Sequence, residues 1–534
     1  MTTHNDDHRN GDLPADVRAE LLCRSGAERP IVPGFYPDPT ICRVGPDYYL
    51  AHSSFEYFPG APIFHSQDLV TWTQMGNILT RRTQFRRGNP RPSTGIYGST
   101  LRHHDGRFWF VTTNVSDFDS GQVVVHAEDP AGPWSDPVFV PGAIGIDPDL
   151  TWDDQGQCYL TWKALSFGSG DEGIRQARLD LSTGAMSEPY PVWQGSGLAA
   201  PEGPHLYRIE DTWYLLLAEG GTERGHCVSV ARAANAWGPF EPCPWNPVFT
   251  HRSSVHAVQN VGHADLVQTA AGEWAAVYLG VRPRGSTPGF HVLGRETFLA
   301  GVDWADGWPV FREGRFDVPL TPTGFADDFS SQELHPRWVV PGGEPETVAV
   351  RHRSGGLELC DLPDGRPGLL CVRVRDLHWT AQATLRGAGG LLLRLDDRHW
   401  YGLTLQDDQV HAAAQLGGIT HELASIPAPG TTVMLRIEAV PASSPPTPGW
   451  HAGPDDVVLS AHDGTGFTEL ARLDGRYLST EVASGFTGRV LALAPAGSRG
   501  HVLSAEYLPQ PDDEQTPIQE HRPERTRESG EGTS

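Results

Sequence analysis

The segment IEDTWYLLLA (residues 209–218) sets the pattern for the first half of the chain, a polar turn followed by an aromatic-rich apolar run of strand length. Four other segments repeat it: GPDYYLAHSS from residue 45, HDGRFWFVTT from 104, DDQGQCYLTW from 153 and AAGEWAAVYL from 270. Corresponding positions Tyr48, Phe108, Cys158, Trp213 and Trp274 stand 60, 50, 55 and 61 residues apart. A second strand pattern tends to follow, as in IFHSQDLVTW, VVVHAEDPAGPW and VSVARAANAWGPF. Repeats of roughly 40–60 residues, each several strands long, are the signature of β-propeller blades. Five repeats predict five blades.

Past VDWADGWPVFREGRFDVPLTP (302–322) the texture changes. Segments such as GLELCDL, GLLCVRVRD, QATLRG, GGLLLRLDD, YGLTLQDD, VHAAAQLGG, TVMLRIEAV and VVLSAHDG are short apolar runs bounded by Gly and Asp turns. Strands at roughly ten-residue spacing predict an antiparallel sandwich. The expected fold class is all-β: a five-bladed β-propeller over 28–320, then an antiparallel β-sandwich over 321–509. Residues 1–27 read as a polar tail with a helical turn or two near Val17–Leu22, and 510–534 as a disordered tail. The Pro/Ser-rich insert at 441–450 is expected to be a surface loop.

Composition narrows the function. The 534 residues carry a net charge of −25, which repels phosphate backbones and argues against nucleic acid as a partner. Lys163 is the only lysine beside forty arginines, and no function is read from that bias. Seven cysteines (Cys23, Cys42, Cys158, Cys227, Cys243, Cys360, Cys371) show no CxxC or CxxH spacing. Neither a disulfide framework nor a zinc site is indicated, which suits a reducing compartment. The polar N-terminal stretch lacks the apolar region of a signal peptide, and no run of eighteen apolar residues exists. A cytoplasmic protein without a membrane span is the expectation.

Three carboxylates lie in similar strand-start contexts: Asp38 in GFYPDPTI, Asp147 in GIDPDLTW and Glu202 in APEGPHLY. They are 109 and 55 residues apart, close to two repeats and one. A propeller brings equivalent points of its blades to one axis, and carboxylates sharing a cavity push one another's pKa values apart. Taken singly, Asp38 reads equally as a turn acceptor, Glu202 as a strand-end charge, and Asp149 competes with Asp147.

The stretch GFYPDPTICRVGPDYYLAHSSFEYFPGAPIFHSQDLVTW resembles the opening blade of glycoside hydrolase family 43. GIDPDLTWDDQGQCYLTW, APEGPHLYRIEDTWYLLLAEGG, GHADLVQTAAGEWAAVYLG and LGRETFLAGVDWADGWPVF resemble its later blades, in order. The remainder is similar to the concanavalin-like sandwich that accompanies the family's β-xylosidases. That resemblance implies an inverting hydrolysis: Asp38 as general base on a water, Glu202 as general acid, and Asp147 raising the acid's pKa and orienting it. No redox cofactor is required. His263 in VGHADLVQT would lie near the axis in contact with sugar, water or a structural calcium ion. By itself it reads as a core histidine.

Arg295 in LGRETF would reach the site, where its fork can grip hydroxyls and a carboxylate together; its bland alternative is a partner for Glu296. Phe55 and Tyr97 match positions lining the sugar pocket, and Phe486 in SGFTGRVLAL matches a sandwich loop that points into it. Phe486 otherwise reads as a sandwich core aromatic. Two departures stand out: Asp149 replaces a small polar residue, and GIYGST (95–100) replaces a Trp followed by Ala-Pro. The expected function is exo-acting release of xylose from β-1,4-xylo-oligosaccharides, with α-L-arabinofuranosidase action on arabinoxylo-oligosaccharides as the alternative. A non-catalytic glycan-binding propeller is the rival from another class, and a retaining fructan-acting propeller enzyme the third reading. The family's frequent dimers and tetramers make a homo-oligomer compatible with the chain.

Overall fold

The computed structural model describes residues 29–84, 91–166, 170–285, 288–443, 453–497 and 499–511. Both tails, the helical turn near Val17–Leu22 and most of the Pro/Ser-rich insert lie outside the described residues. The described chain is all-β apart from a few single turns of helix, none long and apolar enough to cross a membrane.

Five four-stranded antiparallel sheets follow one another in chain order. Their second strands are Asp47–Ala51, Arg107–Asn114, Cys158–Ser166, Thr212–Glu219 and Trp274–Val281, the aromatic segments that repeat in the sequence. Their first strands are Thr40–Val44, Ile96–His104, Gly145–Trp152, Glu202–Ile209 and Gln259–Gln268. Each first strand packs against the first strand of the next sheet, and the fifth packs back against the first.

These inner strands share a local irregularity. Pairing slips between Ile96 and Ser99, between Ile146 and Asp149, between Glu202 and His205, and twice between Gln259 and Asp265. At or beside the slips, Asp147, Gly203 and His263 take φ of 55°, 56° and 48°, and Asp38 takes 52° just before the first strand. Left-handed backbone of this kind re-aims a side chain at the end of a strand. Two residues further on, the regular pleat returns and places Thr40, Thr100, Asp149, His205 and Asp265 in one buried layer.

That layer is a hydrogen-bonded network to which all five inner strands contribute. Arg102 donates to Asp265 Oδ2 at 2.8 Å and to Asp149 Oδ1 at 3.0 Å. Asp265 also accepts from the Thr40 hydroxyl at 2.8 Å, the Ile41 amide at 2.9 Å and the Tyr207 hydroxyl at 2.5 Å. Asp149 accepts from the Leu206 amide at 3.0 Å, and Thr40 from the Leu101 amide at 2.9 Å. Burial alone would raise both carboxyls; the charge of Arg102 and the hydrogen bonds outweigh it and hold both below the usual carboxylate range.

Residues beyond 325 form two antiparallel sheets, of eight and six strands, around one apolar core. Strand Trp379–Arg386 shows the reason: Trp379, Ala381, Ala383 and Leu385 are buried in strict alternation. Two long strands of this half lie outside the segments that the sequence marks. Ile419–Pro427 is largely exposed, and Arg499–Pro509 carries the chain back to pair with three separate strands. This half packs directly on the first, since Val340–Pro341 pairs with Tyr57–Phe58 and the Arg489 amide donates to Val292 O at 3.0 Å. A Cβ on Gly488 would stand 2.2 Å from Leu293 O, so only glycine permits that approach.

Replacing Arg102 by Met leaves two buried carboxylates without a cation and is expected to destabilise the protein by about 3–5 kcal/mol. Denaturant unfolding measures it, and the triple change R102M/D149N/D265N recovers much of the loss. Because both folded-state pKa values lie below the unfolded ones, the network's contribution is complete above about pH 4 and is lost as pH falls through the folded values. The D149N variant is therefore expected to show a shallower decline of stability in acid.

Candidate active site

Above the network, the re-aimed residues converge. Asp38, held between Pro37 and Pro39, is buried; its Oδ1 accepts from Arg295 Nη1 at 2.8 Å and its Oδ2 from the Ser53 hydroxyl at 2.6 Å. His263 Nδ1 lies 3.7 Å from Asp38 Oδ1. Asp147 Oδ2 accepts from the Gly203 amide at 3.1 Å, and Glu202, one residue earlier, is half-buried at the start of the fourth inner strand. Arg295 is not the partner of Glu296, which pairs instead with Arg282 at 2.7 and 3.0 Å. Its second contact is the Thr222 hydroxyl at 3.0 Å.

Asp149, the competitor of Asp147, belongs to the layer beneath, facing Arg102. The departure at that position is thus a network member with a cation of its own, and Asp147 alone of the pair faces the site.

Electrostatics separate the carboxyls. Burial pushes Asp38 upward, but Arg295, His263 and the Ser53 hydrogen bond prevail and hold it below its ordinary value. Asp147 is raised, by burial first and by Asp38, against the opposing pull of His263. Glu202 is pushed up to about 8, by burial first and then by the charges of Asp147 and Asp38. The site therefore biases Asp38 towards ionisation and Glu202 towards keeping its proton.

Aromatic rings wall the mouth. Phe55 and Phe486 stack with centroids 5.9 Å apart and planes at 19°, and Tyr97 meets them edge-on at 5.0 and 5.9 Å. The Arg295 guanidinium sits 5.7 Å from the Phe55 ring and 5.6 Å from that of Phe486. Phe486 is no core residue of the sandwich: it is 37% exposed, and its amide donates to Ser93 Oγ at 2.9 Å across the chain's two halves. A cleft of about 1190 Å³ leads away between the halves, lined by Arg295, Phe486, Thr222, His256 and Glu481 among others. Glu481 accepts from the His291 amide at 2.9 Å and bonds its ring at 2.6 Å, fixing the Phe486 segment.

Ser53, Thr222 and buried His226, whose Nδ1 donates to Asn260 O at 2.8 Å, are site residues that the sequence reading did not single out. Nothing in their local sequence marks them. Gly98 and Gly203 also belong here: a Cβ on Gly98 would stand 2.3 Å from Asp147 Oδ1, and one on Gly203 3.2 Å from the His263 ring.

Calcium takes about six to eight oxygen ligands. His263 offers nitrogen, and the carboxylate oxygen nearest it is already held by Arg295. Among the described residues the trio of histidine and carboxylate atoms close enough to share an ion is His251, His256 and Glu313, which excludes His263. These side chains by themselves supply few of the oxygens that such an ion takes.

Carboxyls of opposed proton affinity beside an aromatic-walled pocket are the arrangement that glycoside hydrolysis uses. Residues 27–309 match the family model "Glycosyl hydrolases family 43", and 326–507 match "Beta xylosidase C-terminal Concanavalin A-like domain". The chain belongs to glycosyl hydrolase family 43 and carries that C-terminal domain. A xylosidase/arabinosidase of Butyrivibrio fibrisolvens is 47% identical over 299 residues, 54% of this chain and 57% of its own length. The non-reducing end alpha-L-arabinofuranosidase BoGH43B of Bacteroides ovatus is 35% identical over 522 residues, 89% of this chain and 92% of its own length. The crystal structure of a xylan beta-1,4-xylosidase from Bacillus halodurans superposes with a TM-score of 0.81 at 28% identity, covering 90% of this chain and 99% of that one.

Gly98→Ala tests the packing around Asp147. The added methyl displaces that carboxyl, and a misplacement of about 1 Å costs about a hundredfold in kcat. Circular dichroism is expected to stay unchanged while turnover falls; unchanged turnover would show that Asp147 has no fixed place in the chemistry.

Proposed function

We propose that this chain is an inverting, exo-acting glycoside hydrolase that releases terminal xylose from β-1,4-xylo-oligosaccharides. The observation that carries the reading is the convergence of Asp38, Asp147 and Glu202 on one site in which Arg295 bonds only Asp38. Asp38, ionised beside Arg295, takes a proton from the attacking water on one face of the sugar ring. Glu202, protonated at neutral pH, gives its proton to the glycosidic oxygen on the other. Asp147 acts through Glu202, as a neighbouring negative charge that keeps the acid protonated. Arg295 serves two ends, holding Asp38 ionised while its planar face lies against the stacked rings of Phe55 and Phe486. The Phe486 segment covers one end of the pocket, which favours chain ends over internal bonds.

The five sheets with cyclically packed inner strands are read here as the blades of one propeller, and the division near residue 320 as its boundary with the sandwich. His263 is assigned to contact with sugar or water. Six described cysteines are free thiols, which supports a reducing, cytoplasmic setting.

A second reading has its own support. The relative that matches 89% of this chain is named as an α-L-arabinofuranosidase, so terminal arabinofuranose is the competing substrate for the same pocket. Comparing kcat/KM on nitrophenyl xyloside and nitrophenyl arabinofuranoside decides which sugar is preferred. Binding of both without turnover would return the protein to the glycan-binding class.

The pH profile follows from the two groups. Asp38 lies below its ordinary value, so the base form is lost only in acid; Glu202 loses its proton at about 8. The kcat/KM is expected to be level across about pH 5–7 and to fall above about pH 8. Glu202→Gln is expected to abolish the alkaline fall and lower kcat on xylobiose by about a thousandfold, with a smaller loss on dinitrophenyl xyloside, whose leaving group needs little protonation. Asp38→Asn is expected to lower kcat on both substrates alike. Proton NMR of the first-formed sugar reads the stereochemistry, and a retained anomer would make one carboxylate a nucleophile instead.

A further inference from the structure

A second pocket, of about 400 Å³, lies between the two halves of the chain. Its walls include Tyr36 and Trp72 from the first half, and Arg337, Arg373 and Arg375 from the second. No Asp or Glu lines it, although the protein carries a net charge of −25. Three arginines gathered on a wall that has no carboxylate are unusual in so acidic a chain; Asp327 and Asp376 act on Arg337 and Arg375 only from outside the lining.

Arg373 is the most unusual of them. It ends strand Leu370–Arg373, is 2% exposed, and none of its three guanidinium nitrogens has a hydrogen-bond partner among the described residues. Its surroundings are aromatic faces: Tyr36, Phe35 and Tyr57 lie 4.7, 5.2 and 6.0 Å from the guanidinium carbon. Cation–π attraction offsets part of the desolvation of a buried cation but gives its five N–H donors no hydrogen-bond acceptor.

The other two are half-buried and also lack ion pairs among the described residues. Arg375 Nε donates to Pro33 O at 3.2 Å, and Arg337 Nε donates to His335 Nδ1 at 3.0 Å. Burial is the main influence holding Arg337's ionisation below its usual value; the charge of Asp327 opposes it and that of Arg375 adds to it. Thr71, Thr73 and Thr321 add hydroxyl donors to the same wall.

We propose that this pocket binds a small multivalent oxyanion, a phosphate or a polycarboxylate, between Arg337 and Arg375 with Arg373 as the positive charge behind them. Planar guanidinium forks match both phosphate and carboxylate geometry, and more than one cation favours a ligand with more than one ionised oxygen. The site is independent of the sugar pocket. Its occupant would tie the sandwich to the segment that carries Tyr36, two residues before Asp38. A ligand that binds only the folded, docked arrangement stabilises it by mass action.

Thermal unfolding of the full chain tests this with sodium phosphate and sodium citrate, each against sodium chloride at matched ionic strength. A saturable rise in Tm of about 3 °C is expected from at least one of the two, with half-saturation below about 5 mM, and none from chloride. A rise with phosphate alone identifies a phosphate site, and with citrate alone a carboxylate site. The double variant R337Q/R375Q is expected to lose the rise. Arg373→Met, which removes an unpartnered charge, is expected to raise Tm without anion and to abolish the anion response; should it not fold, the double variant decides. No rise beyond chloride at about 50 mM anion, or an undiminished rise in R337Q/R375Q, would overturn the proposal.

Discussion

One guanidinium, that of Arg102, holds the first half of the molecule in register. It joins the second inner strand to the third through Asp149 and to the fifth through Asp265, while Thr40 and Tyr207 attach the first and fourth to the same carboxylate. Two buried carboxylates facing one buried cation are tolerable only when their remaining lone pairs are filled, as they are here by hydroxyls and backbone amides. The consequence is positional. A one-residue slip in a strand turns its side chains to the opposite face, so a network that locks Thr40, Asp149 and Asp265 also locks the residues two places earlier. Those residues are Asp38, Asp147 and His263.

The two layers then divide the electrostatic labour. Below, Arg102 serves both carboxylates and leaves them ionised. Above, the corresponding cation is Arg295, and it bonds one carboxylate only. Among the described residues Asp147 accepts a single backbone amide and Glu202 has no cation bonded to it, and both therefore bear the cost of burial beside Asp38. Burial raises all three carboxyls, and only the one that Arg295 bonds is brought back down. The glycines opposite them complete the arrangement, since side chains at Gly98 and Gly203 would occupy the space around Asp147 and His263.

How far the sequence discloses this depends on the range of each contact. Repeats are local patterns, so the five aromatic strands and the strand-start placement of Asp38, Asp147 and Glu202 are legible in the chain itself. Arg295 is legible only by resemblance, because its bond to Asp38 spans 257 residues and its nearest acid in sequence, Glu296, belongs to Arg282. Asp149 looked like a rival to Asp147 because nothing local reveals that Arg102 awaits it. Ser53, Thr222 and Gly98 left no sign at all. A hydroxyl or a missing side chain acquires its role from what folds against it.

The same reasoning explains what the sandwich contributes. A pocket built by the inner strands alone would be open along the rim where Phe55 and Tyr97 stand, and an open rim favours no particular chain end. The second half supplies Phe486 to that rim, holding it through Ser93 on one side and through the Glu481–His291 pair on the other. Both attachments cross between the halves, so the geometry of the pocket mouth depends on how well the halves are docked. Their contact includes the glycine-only approach at Gly488 and the aromatic cage around Arg373, one tight and neutral, the other charged and without acceptors. The position of the pocket mouth is therefore tied to an interface whose least satisfied member among the described residues is the buried Arg373.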